Sequence, residues 1–290
     1  MAGIIDLIGN TPMVEIKKLN PNPNVQIFAK LEGNNPGGSV KDRAALNMIR
    51  SALERGDIKP DTKLVEATSG NTGIALAMMA SLFGLQIELV MPSNSTRERT
   101  LTMEAFGAKV TLLEGIEQCR DYAEEKGATP GYYLMNQFAN PDNYGAHIKS
   151  TGPEIWRDTE GKITHFVSAM GTTGTIMGCS RYLKGQNSEI QIVGCQPIEG
   201  SSIPGIRRWP AAYLPKIFDA SRVDRVMDIS EEEATQTARK LAKVEGVFAG
   251  MSSGGALSAA IKLAGELKEG VIVFICCDRG DRYLSSDLFG

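Results

Sequence analysis

A chain of 290 residues, 42% apolar and 22% charged, is long enough for one large domain or two small ones and has the make-up of an ordinary globular protein. Its net charge of −3 argues against nucleic acid or an anionic membrane surface as the main partner. No apolar run approaches the roughly 20 residues that a membrane span needs.

The N-terminal residues, Met1-Ala2-Gly3-Ile4-Ile5-Asp6, lack the basic segment and long apolar run of a secretory signal. Residues 26 to 31 read as a strand that fits either of two sheets. Gly37-Gly38 then precedes Ser39-Val40-Lys41-Asp42-Arg43, and Ala44, Ala45, Leu46, Met48, Ile49, Ala52 and Leu53 follow at helical spacing. Lys41 is therefore expected at a loop-to-helix junction and not on an outer helical face. From residue 63 the pattern alternates. Strands are expected at 63 to 67, 86 to 91 and 109 to 113, with helices at 72 to 83, 97 to 106 and 116 to 126. After a less regular middle, strands at 165 to 169 and 190 to 195 flank a helix at 176 to 183. Ser230 with Glu233 forms a capping box opening a further helix. A helix at 256 to 267 and a buried strand at 271 to 277 close the chain.

Continuous apolar strands between helices indicate an α/β protein with two open, mostly parallel sheets and covering helices. Five scattered cysteines without a C-x-x-C pair, and two histidines without ligand spacing, predict free thiols, a cytoplasmic protein and no metal.

Three glycine-rich turns fall between strand and helix, where ligands of open α/β sheets collect. They are Thr68-Ser69-Gly70-Asn71-Thr72-Gly73, Gly171-Thr172-Thr173-Gly174-Thr175, and Gly250-Met251-Ser252-Ser253-Gly254-Gly255, the last expected just ahead of its helix. Glycines admit close backbone approach, threonines add hydroxyl donors, and a helix N-terminus adds partial positive charge, a combination that suits a phosphate. Nucleotide readings lack their signatures: there is no Walker A lysine and no G-x-G-x-x-G after a strand. A Ser-His-Asp hydrolase has weak support, because His147, on a loop, and His165, on a strand, read as structural. A lysine nucleophile beside a phosphate cup points to pyridoxal 5′-phosphate, whose aldehyde condenses with an amine and whose ring is an electron sink.

Five motifs in order carry a resemblance: SVKDR, TSGNTG, GTTGT and the GxSSG turn, preceded by Ile8-Gly9-Asn10-Thr11-Pro12. Together they resemble fold-type II pyridoxal-phosphate enzymes, the tryptophan synthase β-like fold, of the cysteine synthase and cystathionine β-synthase group. The resemblance implies that Lys41 holds the cofactor and serves as general acid/base. It implies that Asn71 meets the ring 3′-oxygen, that Gly171, Thr172, Thr173, Gly174 and Thr175 cradle the phosphate, and that Ser252 meets the ring nitrogen. Thr68, Ser69, Asn71 and Thr72, with Gln137, match the grip on the substrate carboxylate. A serine at the ring nitrogen does not enforce a pyridinium, which suits β-elimination and disfavours transamination. The resemblance also implies a smaller mobile domain at 36–145 closing over a larger cofactor-binding domain of 1–35 plus 146–290, and a homodimer.

Within the group, Val40 and Thr72 depart from the serine and threonine dehydratases. The stretches Glu199-Gly200-Ser201-Ser202-Ile203-Pro204-Gly205-Ile206-Arg207-Arg208-Trp209-Pro210 and Cys277-Asp278-Arg279-Gly280-Asp281-Arg282-Tyr283 resemble the B-type cysteine synthases, which accept thiosulfate. The implied substrates are O-acetylserine and a sulfur donor. Arg207 or Arg208 is expected to attract the thiosulfate dianion, with small Cys277 leaving space and not acting as a catalytic thiol. The alternatives are a cystathionine β-synthase-like or serine-dehydrating lyase, and a non-catalytic paralogue docking serine acetyltransferase, an interaction the B-like loops disfavour.

Overall fold

The computed structural model describes residues 3 to 68 and 70 to 290. In chain order it runs β1 (Met13–Glu15), β2 (Val25–Leu31), α1 (Lys41–Arg55), β3 (Lys63–Ala67), α2 (Asn71–Leu82), β4 (Gln86–Pro92), α3 (Arg97–Ala105), β5 (Lys109–Leu113), α4 (Ile116–Gly127) and β6 (Tyr132–Leu134). It continues with α5 (Pro141–Lys149), α6 (Thr151–Asp158), β7 (His165–Ala169), α7 (Gly174–Gln186), β8 (Gln191–Pro197), β9 (Arg225–Ile229), α8 (Glu231–Glu245), α9 (Met251–Glu266) and β10 (Gly270–Cys276).

The strands form two sheets, one of six in the order β1-β2-β10-β7-β8-β9 and one of four in the order β5-β4-β3-β6. Only β1 pairs antiparallel; the remaining ladders are parallel. The expected α/β architecture is therefore present, and the N-terminal strand joins the larger sheet beside β10. Parallel strands are covered on both faces, which is why they are apolar along their length: Ile272 to Ile275 of β10 are all fully buried. Helix α2 is apolar all round because Ile74 to Ala80 are buried on every side.

In the small sheet β3 lies between β4 and β6, and in the large sheet β7 lies between β10 and β8. The chain leaves β3 for β4 and leaves β7 for β8, so both strands are points where the order reverses. A crevice opens beyond the carboxyl end of such a strand.

Three sequence expectations are corrected. The irregular middle contains β6, α5 and α6, and His147 lies on helix α5 and not on a loop. Those helices lack an apolar stripe because their buried faces are largely polar: Asn143 and His147 on α5, Thr151 and Glu154 on α6. The third glycine turn lies mostly inside α9. Gly254 packs against α8, where a Cβ would meet the Ala234 carbonyl at 2.1 Å, so it serves helix contact and not a loop. Among the described residues no helix is long and apolar enough to cross a membrane, and no cluster of three or more His, Cys, Asp or Glu side chains is placed to hold a metal. All five cysteines are free thiols.

Candidate active site

Lys41 opens α1 because the chain ahead of it is stitched to the end of β10. Val40 N–H donates to the Cys277 carbonyl at 2.9 Å, Ser39 bridges to Asp278, and Lys41 N–H donates to Ser39 Oγ at 3.2 Å. The next two residues anchor the helix. Asp42, fully buried, accepts from Gly37 N–H at 2.5 Å, and burial pushes its carboxyl up to about 7. Arg43 reaches Glu32 at 2.7 Å and Glu154 at 2.6 Å, in a buried network that also takes in Lys30, Thr11 and Asn35. Burial alone raises the Glu154 carboxyl, yet the Arg43 hydrogen bond and charge hold it down near about 2. Such a network adds little net stability but fixes geometry, since removing one partner strands a buried charge. Lys41 is thus held from both sides.

The Lys41 amine faces a cavity also lined by Asn71, Thr72, Gln137, Gly171, Arg207, Ser252 and Cys277. Burial lowers its pKa, against the opposing pull of Cys277, Asp278 and Glu32. Burial likewise pushes the Cys277 thiol up to about 11, which leaves it protonated and a poor nucleophile.

Beyond β7, residues 170 to 175 wrap into the first turn of α7. Thr173 holds a left-handed backbone (φ 69°), strained for a β-branched residue, and its buried hydroxyl has no partner. Neighbours close around the turn. A Cβ on Gly171 would lie 2.7 Å from the Gly205 carbonyl, and one on Gly174 only 2.1 Å from Asn143 Oδ1. Asn143 Nδ2 donates to Thr172 Oγ1 at 3.2 Å, and Trp209 Nε1 donates to the Gly171 carbonyl at 2.7 Å. His147 sits between Thr151 (Nδ1, 2.8 Å) and Thr175 (Nε2, 3.4 Å), and burial, with Arg43 and Lys41 nearby, drives its pKa well down. A neutral ring carries one proton on its two nitrogens, so it donates to one of these hydroxyls and accepts from the other. The turn offers strained backbone, an orphan hydroxyl and a helix N-terminus but no cation, which fits a phosphate. With Lys41 and with Ser252 on the first turn of α9 in the same cavity, these residues fit pyridoxal phosphate.

Beyond β3, Thr68 Oγ1 accepts from Gly70 N–H at 3.1 Å and Gly73 N–H at 3.0 Å, folding the turn into α2. Thr72 donates to Gln137 Oε1 at 2.7 Å, and Gln137 Nε2 donates to the Ala67 carbonyl at 2.7 Å. Beneath lies Glu66, whose Oε2 accepts from Gln137 N–H at 3.3 Å and whose carboxyl burial raises to about 8. Asn71 is held from the far side: its amide donates to Asp278 at 2.7 Å and accepts from Arg282 at 2.5 Å. Arg282 also donates to the Gly37 carbonyl, and Tyr283 to Asp278 at 2.7 Å. Ser69 lies outside the described residues.

The structure thus gathers Lys41, Asn71, Thr72, Gln137, Gly171, Thr172, Thr175 and Ser252 around one cavity, while Thr68, Thr173 and Gly174 belong to the same turns without lining it. It separates the two arginines. Arg207 is half-buried at the cavity, where burial and the Arg99 charge lower its pKa against the pull of Glu117. Arg208 turns outward to Asp228 at 2.6 Å. Of the two arginines expected to attract the dianion, Arg207 lines the cavity and Arg208 does not. Asn143, His147, Trp209, Asp278 and Arg282 have no site role in the sequence reading; the signal available was that Trp209, Asp278 and Arg282 sit in the two distinctive segments.

Comparison with known proteins agrees with this geometry. The family profile described as pyridoxal-phosphate dependent enzyme matches residues 4–278. The chain is 58% identical over 289 residues to cysteine synthase B of Pseudomonas aeruginosa, covering 99% of this chain and 97% of that protein. It is 54% identical over 293 residues to cysteine synthase B of Escherichia coli K12, covering 100% and 97%. A crystal structure of cysteine synthase from Entamoeba histolytica superposes with a TM-score of 0.93 at 37% identity, covering 100% of this chain and 90% of that one.

Proposed function

The chain belongs to the pyridoxal-phosphate dependent enzymes and, within them, to the cysteine synthases, and from that premise we propose that it replaces the acetate of O-acetylserine with sulfide or thiosulfate. The products are cysteine or S-sulfocysteine. The observation that carries the reading is one cavity lined by a desolvated lysine amine, a glycine-threonine turn suited to a phosphate and the guanidinium of Arg207.

When bound, the cofactor supplies an aldehyde for the substrate amine and a ring that delocalises charge from the α-carbon. The protein supplies the rest. The turn at 68 to 73 and Gln137 receive the substrate carboxylate, which fixes the α-proton toward Lys41. Burial lowers the Lys41 pKa, so the freed amine is a competent base; it removes the α-proton, acetate leaves, and the sulfur donor adds at the β-carbon. Lys41 then returns the proton to the α-carbon. Ser252 would face the ring nitrogen as a neutral partner, Asn71 would meet the 3′-oxygen, and Gly171, Thr172, Thr173, Gly174 and Thr175 would hold the phosphate.

Thiosulfate use rests on Arg207, whose guanidinium makes no hydrogen bond or ion pair among the described residues and lies at the cavity beside a second cation, Arg99. Two guanidinium charges at one cavity attract a dianion more than a monoanion. The reading also includes residues 36–145 moving over the cleft, a homodimer and a cytoplasmic location, with docking of serine acetyltransferase disfavoured. Supporting the first, α3 meets the segment after β10 through side chains, with Ser285 donating to Glu98 at 2.8 Å and Arg99 lying over the Tyr283 ring at 5.2 Å.

The test is visible absorption of the holoenzyme. O-acetylserine should change the spectrum, and either sulfur donor should restore it. Restoration by sulfide alone removes the thiosulfate claim, and no response to O-acetylserine overturns the substrate.

A further inference from the structure

We propose that Arg120 is a positioning residue that clasps α4 to the loop after β8 and so fixes Phe138 and Trp209, two of the aromatic side chains walling the active-site cavity. The inference rests on the reading that Gln137 and the turn at 68 to 73 receive the amino-acid substrate.

Arg120 projects from α4, which packs on β3 of the small sheet. Its guanidinium lies 4.4 Å from the ring centre of Phe138, 5.2 Å from that of Tyr213 and 5.7 Å from that of Trp209. Its Nη1 donates to the Tyr213 carbonyl at 3.0 Å. Glu117 and Glu124 stand three and four residues away on the same helix, at the spacing of an ordinary helical ion pair. Among the described residues Arg120 pairs with neither. A solvated surface arginine would take those acids; this one takes three rings and a carbonyl.

What the rings touch gives the cage its purpose. Phe138 and Trp209 line the cavity while Arg120 stands behind them. Phe138 directly follows Gln137 and meets Trp209 edge-on, centroids 5.4 Å apart and planes at 80°. Trp209 donates to the Gly171 carbonyl at 2.7 Å and lies two residues after Arg207. One guanidinium outside the cavity therefore bears on the substrate grip, the phosphate turn and the sulfur-donor loop together. It joins a helix of the small sheet's layer to a loop of the large sheet's layer.

The chain has two tryptophans, so Trp156→Phe leaves Trp209 as the sole indole reporter in the holoenzyme. In that background, Arg120→Ala is expected to raise the acrylamide quenching constant of Trp209 at least about twofold, with Arg120→Lys recovering about half the change because the cation–π attraction survives while the planar fork is lost. Phe138→Leu, which keeps the volume and removes one ring, should move quenching the same way. The KM for O-acetylserine should rise about tenfold in Arg120→Ala, with kcat changed less than about threefold. Unchanged quenching overturns the proposal, and so does a fall in kcat at constant KM. A lowered melting temperature with both readouts unmoved marks a merely structural arginine and overturns it too. Quenching is read without substrate. Failure to use O-acetylserine would therefore sink the proposed reaction and leave the Trp209 result to judge Arg120.

Discussion

Residues 170 to 175 and residues 68 to 73 occupy matching places, each beyond the carboxyl end of a strand where its sheet's order reverses, yet their supports differ. The turn after β7 is braced by side chains packed closely around it: Asn143 and His147 from α5, and Trp209 on the Gly171 carbonyl. It stores strain at Thr173. The turn after β3 is braced internally by the Thr68 hydroxyl, and its Asn71 is held by Asp278 and Arg282, which arrive from the segment after β10. The first turn is built before any ligand arrives. The second is held by contacts that cross the crevice, and such contacts can be exchanged as substrate binds. On the proposed reading this sets a rigid cofactor seat against an adjustable substrate seat, as repeated turnover on one bound cofactor requires.

Lys41 lies between the two turns, so its removal should dwarf every effect on either. Lys41→Ala is expected to lower kcat by at least about 10³-fold with the far-ultraviolet circular dichroism unchanged. Turnover within tenfold of wild type would deny the lysine its role. Gly174→Ala attacks the rigid side, since the added Cβ falls 2.1 Å from Asn143 Oδ1. It should weaken pyridoxal-phosphate affinity by about a hundredfold in apoenzyme titration, while the loaded fraction keeps its KM within about twofold. Thr68→Ala attacks the other side. It removes the acceptor for two turn N–H groups, a loss of ~1–2 kcal/mol, and should raise the KM for O-acetylserine about tenfold with cofactor affinity unchanged. Equal loss of cofactor and substrate affinity in Thr68→Ala would erase the distinction between the turns.

The smallest effect concerns pH. Glu66, under Gln137, has its carboxyl raised by burial from 4.5 to about 8 in the folded chain. A raised carboxyl favours the folded state most at low pH. Its contribution is complete below 4.5 and is lost as pH climbs to about 8. Glu66→Gln, a permanent mimic of the protonated form, should flatten this part of the stability profile in urea unfolding between pH 5 and 8. A slope identical to wild type would mean that Glu66 titrates normally and does not brace the substrate turn.

Much of this site was legible in the sequence because its parts are local. A lysine before an apolar helical run, and glycine-threonine turns after apolar strands, are signals that lie within a few residues of one another. The supports were not legible because they are distant or polar. Asn71 meets Asp278 across 207 residues of chain, and no local pattern announces such a pair. Helices α5 and α6 escaped a search for apolar periodicity because the faces they bury carry Asn143, His147 and Glu154, which hold the phosphate turn and the Arg43 network. Arg207 and Arg208 are indistinguishable as letters. They part company only because β9, unforeseen in the sequence, presents Asp228 to one of them.

The strand order of the two sheets sets a timetable for synthesis. The small sheet is complete once residue 134 has emerged, and its four strands come from consecutive stretches of chain. The large sheet pairs Val25 with Gly270, and its β10 is inserted between β2 and β7. Until the last strand leaves the ribosome, β2 and β7 have open edges facing a gap that only β10 fills. A nascent chain therefore carries a nearly finished substrate layer beside an unfinished cofactor layer, exposed to mispairing for the time it takes to make the second half of the protein.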